Sequence, residues 1–218
     1  MLRTLQGVVA RAVHLVRHGE VHNPNGVVYG RLPGFRLSER GEAMAAMAAD
    51  GLGGLPVTRL IASPLLRTQQ SAAPIAQRFG LEVETDERVV EAWNRFEGRS
   101  VAWRRLARTP RDWPLFVNPG RPSWGEPFVD VVRRMRPAVM EAIRTTSDGD
   151  VVIVSHQLPI WMVHRSVVGA PLAHDPRRRR CALSSVTTFA IRQGRVVETG
   201  YEDPAGALLV GAVDQGAT

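Results

Sequence analysis

Four consecutive β-branched residues, Val151-Val152-Ile153-Val154, form an apolar run with no polar alternation. A run of this kind suits a strand covered on both faces, which belongs inside a mostly parallel sheet. A helical pattern follows it at once, over Pro159–Val168. The same alternation recurs along the chain. Val8–Val16 predicts a first strand, Leu60–Ala62 a second and Leu81–Val83 a third, while Leu183–Ile191 and Val196–Tyr201 predict a final pair joined through Gln193 and Gly194. Between them, Ser38 predicts the cap of a helix carrying Ala43, Met44, Met47 and Ala48, which stops near Gly51. Pro64 opens a second helix that runs to Gly80, and Phe128–Ile143 spaces Val131, Val132, Met135, Val139 and Ile143 at helical intervals. Strands alternating with helices predict an α/β fold: a three-layer sandwich with a mostly parallel central sheet covered by helices on both faces. One domain spans residues 1–218, in which residues 99–127 read as a lid or insertion and residues 204–218 as a loose tail.

Composition narrows the class. At 218 residues, 44% hydrophobic and 22% charged, the chain has ordinary globular content, which excludes disorder and a coiled coil. Its apolar runs fall far short of the roughly 20 residues that cross a bilayer. Gly7–Val16 is apolar, but Arg11 and His14 interrupt it and no small-residue cleavage pattern follows before Arg17, so a cytoplasmic location without membrane contact is expected. The single cysteine, Cys181, fits a reducing compartment and excludes a multi-cysteine zinc site. There is no lysine: all 28 basic residues are arginine, against 21 acids, for a net charge of +7. Arginine grips phosphate or carboxylate through two parallel hydrogen bonds, so this excess favours an anionic ligand without separating nucleic acid from a small phosphate ester.

Ligands of such sheets bind beyond the carboxyl ends of the strands. There the sequence places Arg17, His18, Gly19 and Glu20 after the first strand, Ser63 after the second with Arg67 on the next helix, and Ser155 and His156 after the Val151 strand. Cations and imidazoles from three strand ends imply an anion pocket. A histidine at a strand end attacks phosphorus when its other ring nitrogen is held by a carbonyl, and Gly19 lets the chain turn away closely. His14, His18 and His22 are spaced four apart, which on a helix would face a metal together; a strand followed by a loop broken at Pro24 separates them, so no metal site is expected. The loop His18–Leu37 offers Asn23, Asn25, Tyr29 and Arg31 as candidate pocket lining, although solvation of a loop explains them almost as well. The run Arg177–Arg180 reads as a solvated, self-repelling segment, with a pocket-edge role toward a second acidic group as the alternative. A nucleic-acid patch would want more such runs with interleaved aromatics, so no nucleic-acid partner is expected.

Taken in order, Leu15-Val16-Arg17-His18-Gly19-Glu20, then Ser63-Pro64-Leu65-Leu66-Arg67-Thr68-Gln69-Gln70-Ser71-Ala72, then Val154-Ser155-His156 resemble the histidine phosphatase superfamily, the phosphoglycerate mutase-like group. The resemblance runs from residue 13 to about residue 200 and implies a metal-independent phosphatase of the histidine acid type, with no cofactor. It implies His18 as the nucleophile that is transiently phosphorylated, and Arg17, Arg67 and His156 as the clamp on the phosphoryl group. The acid that protonates the leaving oxygen belongs to the segment Glu91-Ala92-Trp93-Asn94-Arg95-Phe96-Glu97-Gly98, where Glu91 is the assignment and Glu97 the rival. This segment is one residue shorter than the family pattern and lacks its internal glycine. Gln157 stands where a glycine commonly follows the second histidine. Trp93 and Gln157 join the candidate substrate-lining residues. The expected reaction is hydrolysis of a small phosphorylated metabolite. A phosphoglycerate mutase using the same residues, and a non-catalytic anion- or nucleic-acid-binding protein, are the alternatives. The oligomeric state stays open, a homo-oligomer included.

Overall fold

A computed structural model describes residues 12–99, 124–146 and 148–214. The first part of the expected opening strand and most of the expected lid fall outside these residues. Six strands, β1 (Ala12–Arg17), β2 (Val57–Ala62), β3 (Val83–Thr85), β4 (Asp150–Ser155), β5 (Val186–Arg192) and β6 (Arg195–Glu202), form one sheet in the order β3-β2-β4-β1-β5-β6. Pairings on the β3 side of β1 are parallel, and β1–β5 and β5–β6 are antiparallel. The sheet is therefore mixed, because the chain closes with a hairpin. Gln193 (φ 50°) and Gly194 (φ 74°) make its two-residue turn, with the positive φ at both positions that matches strand twist.

Among the described residues four helices cover the sheet: α1 (Glu39–Gly51), α2 (Leu66–Phe79), α3 (Phe128–Thr145) and α4 (Gln157–Val167). The period-two geometry of a strand explains the unbroken apolar run. Val151 and Ile153 of β4, with Val13 and Leu15 of β1, pack against Val131, Met135 and Val139 of α3 and Ile160 to Val163 of α4. Val152, Val154 and Val16 point the other way, onto Ala48 of α1, Leu52 at its C-terminal cap, and Ala72 and Ile75 of α2. Each of these strand residues is essentially inaccessible. Burying one such side chain is worth about 1.5–3 kcal/mol, so a polar residue at any of the four β4 positions would disrupt a core layer whichever face it chose.

Local signals place the helix ends. The Ser38 hydroxyl accepts from Gly41 N at 3.0 Å and caps α1. Helix α2 starts at Leu66, two residues later than its proline suggested. β3 lies at Val83–Thr85 rather than Leu81–Val83, because Leu81 N still donates to Ala76 O and the left-handed Gly80 closes the helix first. The expected loose tail is corrected for residues 204–214. Ala205 is fully buried against Met44 and Leu183, and Val213 N donates to Glu20 Oε2 at 2.8 Å, so this segment is docked on the body.

Candidate active site

The parallel register sets the site. Arg17 lies opposite Ser155 at the ends of β1 and β4, and His18 N continues the ladder by donating to Ser155 O at 3.1 Å. The next residues on the two strands, His18 and His156, thereby come side by side, with ring centroids 5.2 Å apart and planes at 63°. Ser63, just past β2, donates its N–H to Val154 O at 3.0 Å. Its own carbonyl accepts from Thr68 Oγ1 and Gln69 Nε2 on α2, which fixes where its hydroxyl stands.

His18 is completely buried, and its Nδ1 lies 2.8 Å from Gly19 O. A carbonyl only accepts, so Nδ1 carries the proton and Nε2 holds a lone pair, and Nε2 has no hydrogen-bond partner among the described residues. Burial first, then the Arg67 and Arg17 charges, hold this imidazole well below the ordinary histidine range, so it is neutral and nucleophilic at neutral pH. His156 takes the opposite tautomer. Its Nδ1 accepts from Arg67 Nη2 at 3.3 Å, which leaves Nε2–H to donate to Ser63 Oγ at 2.8 Å. Burial and then Arg67 keep it neutral too.

Two buried guanidinium groups flank the imidazoles. Arg67 donates Nη2 to Gly30 O at 2.7 Å and stands 4.8 Å from the centre of the Tyr29 ring. Arg17 donates Nη1 to Cys181 O at 2.7 Å and to Asp214 Oδ2 at 2.8 Å, and Nη2 to Asp214 Oδ1. Burial disfavours its charge, but the Asp214 carboxylate outweighs that and raises its pKa. In both arginines Nε is buried without a partner among the described residues. Two donors and one lone pair with unmet capacity, in one neighbourhood, suit an anion with a reactive centre opposite Nε2.

Glu91 is also fully buried. Oε1 accepts from Ala92 N at 2.8 Å, and Oε2 has no partner among the described residues. Burial raises its pKa above the ordinary carboxylate range, with the Ala92 N–H and Arg67 opposing. The backbone beneath it is clamped by charge. Arg31 Nε donates to Glu91 O at 2.6 Å, Arg134 Nη1 donates to Arg88 O and Val90 O, and the buried Glu126 accepts from both arginines. Glu97 does different work: Oε1 accepts from Arg31 N and Asn94 N, each at 3.0 Å, stapling two loops together.

The structure thus brings together His18, Arg17, Arg67, His156, Glu91 and Tyr29. Arg31 braces the Glu91 backbone through its Nε. Asn23 uses its amide to staple Val27 across its own loop, and Asn25 is exposed there. Trp93 is 39% exposed and gives its carbonyl to Glu126 N. Gln157 bonds Cys181 O and receives Arg179 Nη1 at 3.2 Å. The arginine run divides: Arg177 pairs with Asp175 and Arg180 with Glu198, whereas burial pushes Arg179, facing inward, down to about 10. The sequence reading missed Glu126 and Arg134, whose only signal is a carboxylate eight residues before an arginine, and Asp214, which carried no signal. Among the described residues no group of three or more His, Cys, Asp or Glu side chains is arranged to hold a metal, and no helix is long and apolar enough to cross a membrane.

The chain is 52% identical over 198 residues to an uncharacterized protein of Mycobacterium tuberculosis, Rv0525, covering 88% of this chain and 96% of that one. It is 33% identical over 183 residues to a probable phosphoglycerate mutase, GpmB, of Yersinia enterocolitica, covering 80% and 83%. Among solved structures, a mycobacterial glucosyl-3-phosphoglycerate phosphatase superposes with a TM-score of 0.72 at 25% identity, covering 86% of this chain and 96% of that one. A phosphoserine phosphatase of Entamoeba histolytica shares the fold, with a TM-score of 0.74 at 21% identity and coverage of 91% and 99%. The family model for the histidine phosphatase superfamily (branch 1) matches residues 13–204, from β1 to beyond β6, and the chain belongs to that superfamily.

Proposed function

We propose that this chain is a phosphomonoester hydrolase acting on a small phosphorylated metabolite through a phosphohistidine intermediate. One observation carries the reading: His18 has Nδ1–H tied to Gly19 O and a buried Nε2 lone pair, the Arg67 and Arg17 charges act on the ring, and the Nε of each arginine is buried without a partner among the described residues. The Nε2 lone pair forms a bond to phosphorus as the ester P–O bond breaks. The electron pair of that bond goes to the leaving oxygen, which takes the proton of Glu91. Arg17 and Arg67 offset the charge that gathers on the equatorial oxygens, and the neutral His156 completes the clamp by accepting from Arg67 Nη2, which holds that guanidinium in place. In the second half, water attacks phosphorus and gives its proton to the Glu91 carboxylate, while the N–P bond returns its electrons to His18 and inorganic phosphate leaves. The likeness to the glucosyl-3-phosphoglycerate phosphatase supports hydrolysis. The likeness to the probable phosphoglycerate mutase supports a second reading, in which the same phosphohistidine returns its phosphoryl group to a substrate hydroxyl.

Rapid quench after mixing with an alkyl phosphate tests both readings. Wild type should carry acid-labile, base-stable phosphate, and His18→Ala should carry none while losing activity by about 10³-fold or more. Release of inorganic phosphate marks the hydrolase, and an isomerised phosphoester marks the mutase. A folded His18→Ala protein with near wild-type turnover refutes the mechanism.

A further inference from the structure

We infer that Asp214, near the end of the chain, is a positioning residue of the phosphoryl-binding site, holding Arg17 so that its Nε faces the anion. The inference rests on the reading of the site given above. Arg17 must present one edge of its guanidinium to the phosphoryl group, and the structure shows how the other edge is occupied. Nη1 is shared between Cys181 O (2.7 Å) and Asp214 Oδ2 (2.8 Å), and Nη2 is taken by Asp214 Oδ1. This fork-to-fork pairing fixes the plane of the group as well as its position. It leaves the edge made by Nε, fully buried and without a partner among the described residues, and the second N–H of Nη2 as the donors not yet used. The Asp214 side chain is 40% exposed while that of Arg17 is 0% exposed, so the carboxylate closes the solvent side of the arginine and does not fill the interior.

The segment that delivers Asp214 is anchored by its own contacts. Val213 N donates to Glu20 Oε2 at 2.8 Å, Ser38 Oγ donates to Glu20 Oε1 at 2.6 Å, and Ser38 caps α1. Glu20 is buried and Arg40 approaches it at 3.5 Å. A residue two positions after the nucleophile therefore holds the backbone that places the carboxylate on the arginine one position before it. Without Asp214, Arg17 keeps its bond to Cys181 O but is free to rotate its fork, and the loss falls on the phosphoryl group, which every substrate shares.

Wild type, Asp214→Asn and Asp214→Glu are titrated with vanadate and assayed on an alkyl and an activated aryl phosphate. Asp214→Asn should weaken vanadate binding roughly tenfold or more, and should lower kcat/KM on both substrates by the same factor. Asp214→Glu, which restores the charge, should recover part of both. Equal loss on both substrates separates this role from that of a leaving-group acid, and unchanged thermal unfolding separates it from a general loss of stability. If Asp214→Asn matches wild type, the contact is a bystander; if it binds vanadate more tightly, the carboxylate competes with the anion. Either result overturns the inference alone. A wild-type protein that fails to bind vanadate overturns the site reading and the inference together. Should Asp214→Asn unfold, Asp214→Ser, which keeps the Val213 N–H to Glu20 Oε2 and removes the carboxylate, supplies the same comparison, with the same expected and overturning results.

Discussion

Replacing Glu91 by Gln removes the group's capacity to give up and take back a proton while almost preserving its shape. The glutamine keeps an oxygen to accept the Ala92 N–H at 2.8 Å, fills the same fully buried volume and sits on a backbone still clamped by Arg31 and Arg134. Among the described residues Oε1 is bonded by the Ala92 N–H alone and Oε2 by nothing, so the substitution does not strand a cation paired with the carboxyl. The new amide donor replaces an oxygen that also lacked a partner, so the stability cost should stay within about 1–3 kcal/mol. The effect on chemistry is larger. Proton transfer to an alkoxide leaving group contributes about 10²–10⁴ in rate. That range is roughly 2.7–5.4 kcal/mol of transition-state stabilisation at 1.36 kcal/mol per decade. A nitrophenolate leaves without that proton. The assay is kcat/KM on an alkyl phosphate and on p-nitrophenyl phosphate for wild type, Glu91→Gln and Glu97→Gln. Glu91→Gln should collapse the first and largely spare the second, and Glu97→Gln should do little to either, since glutamine retains the oxygen that accepts from Arg31 N and Asn94 N. Equal depression of both substrates by Glu91→Gln, or leaving-group dependence in Glu97→Gln instead, would refute the assignment of the acid.

Two further outcomes follow from the geometry around the nucleophile. Alanine in place of a helical glycine ordinarily stabilises by up to about 1 kcal/mol. At Gly41, however, a Cβ would come within 2.0 Å of Glu20 O, so Gly41→Ala should lower the thermal midpoint and also reduce turnover, because the displaced backbone adjoins His18; a midpoint at or above wild type refutes this. Stability should also fall on acidification. His18 and His156 are held well below 6.5 by burial, and burial lowers His174 to about 4, so below pH 6.5 the unfolded chain binds more protons than the folded one. Stability is then full above pH 6.5 and is lost as pH falls toward 4. Urea unfolding across that window checks the sign, and a flat or rising profile refutes it.

How much of this was legible in the sequence depends on the range of the interactions. Helix-period and strand-period patterning, the Ser38 cap and the Gly80 stop are local, so the alternation of elements and the three layers could be read from the chain. The positions of Arg17, His18, Arg67 and His156 could be read as well, because strand ends in a parallel sheet converge by topology and the residues flanking them follow the family pattern. Other features needed the tertiary structure. The hairpin that makes the sheet mixed depends on β5 choosing the antiparallel edge of β1. Only burial distinguishes Glu91, with one unpartnered oxygen, from Glu97, which staples two loops six residues away. Nothing near Asp214 in the sequence suggests a partner, because the arginine it holds lies 197 positions earlier. The sequence by itself determined which chemical groups stand at the strand ends. The fold decided which nitrogen of each imidazole keeps its lone pair, which carboxyl is driven toward its acid form and which carboxylate steadies the arginine, because each depends on burial and on neighbours distant in the chain.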